Sequence, residues 1–339
     1  MLIEPTHIMP PPPLAPRQHA FRAREAGLFL HFGINTFNDT EWSDGSLPAA
    51  SFQPAAVDAD DWCRAARDAG LAYLCLTTKH HDGFCLWPTD HGDYGVRQAG
   101  APDVIEALAA AADRHGLGVG LYYSLWDRCH PAYPDDQAYR AVMLRHLEEL
   151  LTRYGPIVEV WFDGAWDKHP GGDRHHGFTE PDRATLAEAW TSTGWRRWGW
   201  PELVERIRSW QPEAAILNNP TTRFPGFPLW PVDARVCEGG EDQTEDQPVW
   251  RIGDQSVTLP GQIATTLSRK GPPGFFEGGS WFWHDWDDSS VTAEDLVAWF
   301  RRARGLQRNL LINAPVGPDS RIGRPHREVL ATFGARSRR

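Results

Sequence analysis

The aspartate at position 163 points most directly to chemistry in this sequence. The six residues before it, Ile157 to Phe162, are apolar except for Glu159, and Gly164 follows it. Such a run is typical of a buried strand, which would place the Asp163 carboxylate at the strand's carboxyl end. There it could bind a metal ion, act as a general base or act as a nucleophile. A turn with Gly164, or a cap on a following helix, explains the same residue without chemistry.

A second carboxylate is available in the acidic segment CEGGEDQTED, which contains Glu238, Glu241 and Glu245. Hydrolysis of a glycosidic bond requires two carboxyl groups, one of which donates a proton. A solvated acidic turn accounts for at least two of these three glutamates. Metal catalysis is disfavoured, because adjacent side chains such as His80 and His81 diverge and no HxH or HExxH motif occurs. We therefore expect neither a metal nor another cofactor.

Polar residues also follow other apolar runs. His31 lies inside the first run, a Lys-His-His-Asp sequence at 79–82 follows the second, and polar and aromatic residues at 123–128 follow the third. The carboxyl ends of parallel strands in a closed barrel meet at one end of the molecule. These residues are therefore expected to share one site with Asp163.

The elements that must position these residues follow an alternating pattern. Eight short apolar or β-branched runs occur at 27–33, 71–77, 118–124, 157–163, 214–218, 234–238, 262–268 and 309–313. Amphipathic helices are predicted at 60–69, 103–115, 137–154 and 201–210, and a further helix begins at a capping box of Thr292 and Asp295. This α/β pattern predicts a parallel sheet, and eight units predict a (β/α)8-like TIM barrel.

An open, doubly wound sheet is the alternative, although neither GxGxxG nor GxxxxGK[ST] occurs to support it. No linker divides the chain. We expect a single catalytic barrel domain over residues 1–339, with long irregular loops at about 166–199 and 220–258.

Composition excludes some classes of partner. Thirty-four basic and 45 acidic residues give a net charge of −11, which disfavours nucleic acid, and no apolar run is long enough for a membrane span. The five cysteines form no CxxC motif and the amino terminus does not read as a secretion signal, so we expect a cytoplasmic protein. Seventeen tryptophans against seven tyrosines suit sugar binding or a large aromatic core. The oligomeric state stays open.

Several motifs together resemble glycoside hydrolase family 29, the α-L-fucosidases. They are HFGINTF with a following EW at 31–42, LTTKHHDGFCLWPTD at 76–90, YYSLWDR at 122–128, WFDGAW at 161–166 and NLLINAPVGPDSRIG at 309–323. The similarity runs in order from about Gly27 to Gly323. The SWFWH segment at 280–284 resembles the subgroup that acts on branched, linkage-defined fucosides.

The resemblance implies a retaining exo-α-L-fucosidase that acts on fucosylated oligosaccharides. Asp163 matches the family nucleophile, and a second carboxyl would act as acid and then as base. Other positions match residues that line the family's fucose pocket: His31, Trp42, His80, His81, Tyr123, Arg235 and Trp281.

Two departures from the family pattern matter. Gln262 stands where the subgroup often has a glutamate, and an amide cannot donate a proton as an acid does, so the acid/base is sought at Glu238, then Glu241, then Glu245. Many members also carry a C-terminal β-sandwich, whereas this chain stops 16 residues after Gly323, so we expect the barrel alone. A galactoside hydrolase of the same mechanism and a fucose-binding pseudoenzyme are the alternatives.

Overall fold

The eight predicted runs form a closed parallel barrel in a computed structural model. The structure describes residues 13–164, 198–219, 232–238, 249–252, 255–258, 260–271 and 279–337. The barrel strands are β1 (Ala26–Leu30), β2 (Tyr73–Lys79), β3 (Gly118–Ser124), β4 (Ile157–Asp163), β5 (Ala215–Asn218), β6 (Ala234–Glu238), β9 (Gly261–Thr266) and β10 (Arg308–Asn313). Consecutive barrel strands are neighbours, and β10 pairs with β1 to close the ring. The TIM-barrel prediction is confirmed.

The two strands between β6 and β9 are outside the barrel. β7 (Val249–Ile252) and β8 (Gln255–Thr258) pair with each other as an antiparallel hairpin. The prediction that 220–258 is irregular is therefore wrong for these eight residues. Strands of four residues are too short for an alternating pattern to stand out from a loop. Most of the two predicted loops, 166–199 and 220–258, lies outside the described residues.

The described helices surround the barrel. They are α1 (Pro16–Ala23), α2 (Ala59–Asp68), α3 (Val96–Ala99), α4 (Val104–His115), α5 (Asp136–Arg153), α6 (Trp200–Trp210), α7 (Ala293–Gly305) and α8 (Arg324–Ser337). Side-chain caps fix several starts: Asp103 accepts from the amides of Ile105 and Glu106, and Thr292 and Asp295 form the predicted capping box. None of the helices in the described ranges is long and apolar enough to cross a membrane.

Strand alternation divides the core into two layers. One layer fills the barrel lumen and includes Phe29, Tyr73, Tyr122 and Trp161. The other lies between the strands and the helices and includes Tyr123. Because successive side chains of a strand point to opposite faces, Tyr122 points into the lumen and Tyr123 points toward the helices.

Candidate active site

Asp163 ends β4 at the carboxyl-terminal mouth of the barrel. Its Oδ1 accepts hydrogen bonds from the Gly164 amide (2.7 Å) and from Asn219 Nδ2 (3.2 Å), and its Oδ2 accepts one from the Tyr122 hydroxyl (3.0 Å). Gly164 has φ +67°, a conformation that favours glycine, so the chain turns directly after the carboxylate. Burial raises the pKa of Asp163 to about 6, although the three hydrogen bonds oppose this shift.

Asn219 connects Asp163 to a second carboxyl group. Its Nδ2 donates to Asp163 Oδ1 at 3.2 Å and to Glu238 Oε1 at 2.6 Å. The two carboxyl oxygens are therefore at most about 5.8 Å apart. Asn219 directly follows β5 and Glu238 ends β6, so three adjacent strands supply these three side chains. The spacing allows both carboxyl groups to face one small ligand.

Asp163 and Glu238 differ in pKa, partly because they lie close together. Burial, followed by the negative charge of Asp163 and a smaller effect of Glu41, raises the pKa of Glu238 to about 8. The pKa of Asp163 is raised to about 6. Between these values Asp163 is ionised while Glu238 holds a proton. A carboxylate beside a carboxylic acid is the pair that acid-assisted displacement requires.

His81 faces the Asp163 carboxylate with a defined tautomer. The Ser124 hydroxyl donates to the Trp126 carbonyl at 2.7 Å, so it accepts from His81 Nδ1, also at 2.7 Å. In the neutral ring Nε2 is then an acceptor, 3.7 Å from Asp163 Oδ2. A ligand hydroxyl, which has a single hydrogen, can donate to only one acceptor of such a pair.

His31 is held in the same tautomer by a different partner. Asn313 donates through Nδ2 to Thr266 Oγ1 and to the Trp281 carbonyl, which leaves Asn313 Oδ1 to accept from His31 Nδ1 at 2.7 Å. Burial lowers the pKa of His31 to about 3, so the ring is neutral at ordinary pH. Its Nε2 is therefore a hydrogen-bond acceptor.

His80 completes the group of imidazoles in the lumen. Its ring stacks on Tyr122, with centroids 5.7 Å apart, and meets the edges of His31 and Phe282. Its Nδ1 is buried and has no hydrogen-bond partner among the described residues. Burial, reinforced by the nearby basic groups, lowers the pKa of His80 well below its usual range. An inaccessible polar atom without a partner is a cost to the fold and not a contact that a ligand can reach.

Two tryptophans extend the wall around these histidines. The Trp281 ring lies 5.2 Å from His31, and the Trp42 ring meets His81 edge-on at 5.0 Å. Glu41 holds the Trp281 segment, because its carboxylate accepts from the amides of Trp281 (2.6 Å) and Phe282 (3.2 Å). The site thus combines carboxylates, imidazoles and apolar ring faces.

The structure corrects the prediction for Tyr123. Its side chain is buried in the helix-facing layer, and its hydroxyl contacts His146 Nδ1 at 3.0 Å. Tyr122, one residue earlier, is the tyrosine that reaches Asp163. The sequence identified the motif but not the phase of the strand. The alternation of Glu159, Trp161 and Asp163 along the neighbouring strand is the signal that could have set that phase.

Gln262 lies away from the candidate site. Its Oε1 accepts from Trp161 Nε1 (2.8 Å), and its Nε2 donates to Tyr73 Oη (2.9 Å) and Glu159 Oε2 (3.0 Å). These partners occupy the floor of the barrel. Gln262 is the second residue of its strand, so it lies near the amino end of the strand and not at the carboxyl end that holds Asp163. It does not occupy the position of a proton donor beside Asp163, which corrects that expectation.

Three predicted residues cannot be placed as side chains. Arg235 lies on β6, where its backbone is in register with Asn218 of β5 and Gly261 of β9. Its side chain lies outside the described set. Glu241 and Glu245 lie outside the described residues altogether. Conversely, Asn219, Tyr122 and Glu41 were not predicted. Asn219 could have been found, because it follows a predicted strand in the same way as Asp163.

Comparison with known proteins places this geometry in a family. The sequence model described as Alpha-L-fucosidase matches residues 14–224, which is more than half of the chain. The chain belongs to the α-L-fucosidase family. Its matched part includes Asp163, Asn219 and the three histidines of the lumen. The family resemblance read from the motifs is therefore confirmed.

Relatives of this α-L-fucosidase family member extend the match along the chain. Alpha-L-fucosidase 1 of Arabidopsis thaliana is 31% identical over 97% of this chain and 60% of its own length. A relative from Oryza sativa subsp. japonica is 34% identical over 97% of this chain and 59% of its own. A crystal structure of a glycoside hydrolase 29 family member from an unknown rumen bacterium superposes with a TM-score of 0.76 at 29% identity, covering 96% of this chain and 57% of the other. The chain thus spans about three fifths of these relatives.

Proposed function

We propose that the protein is a retaining exo-α-L-fucosidase that hydrolyses terminal α-linked L-fucose from oligosaccharides through a covalent fucosyl-enzyme intermediate. The observation that carries this proposal is the bridge from Asn219 to Asp163 and Glu238, which limits their oxygens to about 5.8 Å. Retaining glycosidases place their two carboxyl groups about 5–5.5 Å apart, whereas inverting enzymes leave about 6.5–9.5 Å for a water. The choice of L-fucose as the sugar rests on membership of the α-L-fucosidase family.

The first chemical step uses both members of the pair. The Asp163 carboxylate attacks the anomeric carbon and forms an ester, while the bond from that carbon to the leaving oxygen breaks. Glu238 transfers its proton to the leaving oxygen, which departs as an alcohol. The hydrogen bonds from Tyr122, Gly164 and Asn219 hold the attacking carboxylate in position.

The second step reverses these roles. Glu238, now ionised, takes a proton from a water molecule that attacks the same anomeric carbon. The ester bond breaks, Asp163 leaves as a carboxylate and fucose departs with its original configuration. The raised pKa of Glu238, about 8, supports its assignment as the acid, and the lower value of Asp163 supports its assignment as the nucleophile. Glu241 and Glu245 stay as alternative acids.

Recognition of the sugar is assigned to the lumen. In the tautomers assigned above, Nε2 is the acceptor nitrogen of both His31 and His81, and the His80 ring lies 5.8 Å and 4.1 Å from their rings. Trp281 and Trp42 supply ring faces for the apolar side of a deoxyhexose. The buried side chains of Glu159, Trp161 and Gln262 fill the barrel below Asp163, which supports action on a terminal residue.

The test is proton NMR of the hydrolysis of an aryl α-L-fucoside and of a fucosylated oligosaccharide. We expect α-L-fucose to form first and then to mutarotate to the mixture. Initial formation of the β anomer would show inversion and contradict the mechanism. Absence of fucose release, with hydrolysis of the matching aryl α-L-galactoside, would move the proposal to the galactoside alternative.

The position of Gln262 weakens the argument for the pseudoenzyme alternative. It depended on Gln262 replacing the proton donor, but Gln262 lies on the barrel floor and Glu238 carries a carboxyl group beside Asn219. Calorimetry with L-fucose provides the check, since binding of fucose without turnover of any fucoside would restore that alternative.

A further inference from the structure

Among the described residues, Trp286 is the one large apolar side chain that is exposed, with 38% of its surface accessible. It lies between β9 and α7. This connection leaves the barrel at the carboxyl end of a strand, which is the end that holds Asp163. A single exposed indole is not a broad apolar patch of the kind that binds another protein. It has the size of one sugar ring.

The indole is held in a fixed orientation. The His284 ring stacks on one face of Trp286, with centroids 4.7 Å apart and planes 23° apart. His284 is itself fixed at both nitrogens, by Asp39 Oδ1 (2.8 Å) and Glu41 Oε2 (3.1 Å). The described residues place no second ring on the opposite face. A ring that is supported on one face and 38% exposed is a platform on which a second ring can stack.

The same carboxylate connects this platform to the pocket wall. Glu41 holds His284 through Oε2 and the Trp281 amide through Oε1 at 2.6 Å. The Trp281 ring lies 5.2 Å from His31 in the lumen. Trp281 and Trp286 are thus two ends of one short, anchored segment. Trp281 lies beside His31 in the lumen, and Trp286 is exposed on the surface at the same end of the barrel.

The surroundings of Trp286 restrict the ligand. Asp285 and Asp288 are exposed on either side, and Asp288 is paired with Lys270 at 2.9 Å. Asp285 adds a negative charge next to the indole, which disfavours sulfated or carboxylated sugars because their negative charge would be repelled. Carboxylates can accept hydrogen bonds from the hydroxyls of a neutral sugar whose apolar C–H face lies on the indole.

From this arrangement we propose that the exposed part of the Trp286 indole is a subsite for the neutral pyranose ring to which fucose is attached. The inference rests on the proposed function and deepens it, since it assigns a residue to the leaving group rather than to fucose. It predicts that Trp286 raises kcat/KM only for substrates whose leaving group contains a sugar ring.

The first experiment compares two substrates that differ in the leaving group. α-L-Fucosyl fluoride has no ring to stack, whereas a fucosylated N-acetyllactosamine has one. We expect Trp286→Ala to lower kcat/KM about tenfold on the oligosaccharide and to leave the fluoride within about twofold. Trp286→Phe, which keeps a flat ring, should recover part of the loss. Equal effects on both substrates, or none on the oligosaccharide, would overturn the subsite.

Trp210→Ala is the matched control. Trp210 ends α6 and precedes β5, so it lies at the opposite end of the barrel and should change neither substrate. A tenfold loss on the oligosaccharide in this variant as well would show a general effect of tryptophan removal and would overturn the assignment.

A second measurement does not depend on catalysis. Saturation-transfer NMR with unfucosylated N-acetyllactosamine should show binding to the wild-type protein and its loss in Trp286→Ala. Unchanged signals in the variant, or no signal with the wild-type protein, would overturn the subsite. If the wild-type protein binds this disaccharide through Trp286 but releases no fucose, the proposed function fails while the subsite stands. Gel filtration of both proteins checks the other occupant, a second copy of the chain: a dimer lost in the variant, without any effect on sugar, would overturn the proposal.

Discussion

Two carboxylates of the same strand, Asp163 and Glu159, have similar burial and different surroundings. Both point into the barrel lumen from β4, and burial raises the pKa of each, to about 6 and about 7. Glu159 lies on the floor, fully inaccessible, and accepts from Gln262 at 3.0 Å. Asp163 lies at the mouth, beside a second carboxyl group and three imidazoles. Burial alone therefore does not make a site, and the neighbouring groups decide which carboxylate can react.

The floor and the mouth are nevertheless connected. Gln262 fixes Trp161 through its indole N–H, Trp161 stacks on Tyr122 with centroids 5.2 Å apart, and Tyr122 donates to Asp163. Gly120 leaves the room that Glu159 needs, because a Cβ there would lie 2.7 Å from the Glu159 Cγ. The floor therefore supports the residue that positions the reactive carboxylate.

Replacement of the reactive carboxylate should give the largest effect. Asp163→Asn should lower turnover by at least about a thousandfold, because the amide cannot form the ester. Glu159→Gln, an equally conservative change on the same strand, should lose far less. Steady-state rates on an aryl fucoside provide the comparison. Similar losses in both variants would mean that the floor carboxylate is as important to the chemistry as the mouth carboxylate.

Replacement of the acid should give an effect that depends on the leaving group. Glu238→Gln should lower kcat on oligosaccharides by about 10²–10⁴-fold, since the leaving alcohol must be protonated. It should affect formation of the fucosyl-enzyme from fucosyl fluoride much less, because fluoride leaves without this proton. Glu241→Gln and Glu245→Gln are the matched controls. If one of them shows this selectivity and Glu238→Gln does not, the acid has been misassigned.

The pH dependence should follow the two mouth carboxyls. In the proposed mechanism, Asp163 gains a proton below about pH 6 and cannot attack, and Glu238 loses above about pH 8 the proton that it would donate. The profile of kcat/KM should therefore be bell-shaped with its maximum between these values. Glu238→Gln should remove the alkaline limb. An alkaline limb that persists in this variant would assign it to another group.

A pair of adjacent tyrosines provides a finer test. Tyr122→Phe removes a hydrogen bond to the ionised form of Asp163, so its pKa should rise, the acid limb should move to higher pH and the rate should fall about tenfold. Tyr123→Phe removes the hydroxyl that contacts His146 and Tyr139, neither of which touches Asp163, and should leave the acid limb unmoved. A shift in the second variant and none in the first would reverse the assignment of the two faces of β3.

The smallest expected effect concerns stability rather than rate. Glu159 has a raised folded-state pKa of about 7, so the folded protein holds this proton more tightly than the unfolded chain does. The resulting stabilisation is complete below the usual glutamate pKa and is lost as the pH rises toward 7. Glu159→Gln should remove this dependence, so wild-type stability should fall more steeply than that of the variant between about pH 4.5 and 7 in urea titrations. If the stabilities of the wild-type protein and the variant fall in parallel with pH, the proton is bound at a group other than Glu159.

The sequence predicted the barrel and the end of the barrel that holds the site. Strand ends such as Asp163 and Glu238 could be located because an apolar run stops there, and the helix starts could be located from caps such as Thr292. The facing of side chains was harder to predict. Tyr122 and Tyr123 are chemically equal in the sequence, and only the alternation along β3 separates them. Gln262 shows the same difficulty along a strand, since a motif comparison does not say which end of the barrel a residue occupies.

Contacts between distant segments could not be predicted. In the sequence, Asn219 is a single asparagine that follows a short strand. It bridges two carboxyl groups only because β4, β5 and β6 are neighbours in the closed barrel. Glu41 likewise joins the first strand's loop to a segment about 240 residues later. Such pairs are set by barrel closure and not by local pattern.

The most direct test of the account is to trap the intermediate with a fluorinated fucosyl fluoride and to locate the label by peptide mass spectrometry. A fluorine beside the anomeric carbon slows the second step, so the sugar ester accumulates. The account predicts that the peptide containing Asp163 gains the mass of the fluorosugar and that Asp163→Asn gains none. A label on Glu238, on Glu159 or on any other residue, or rapid turnover without a labelled peptide, would contradict it.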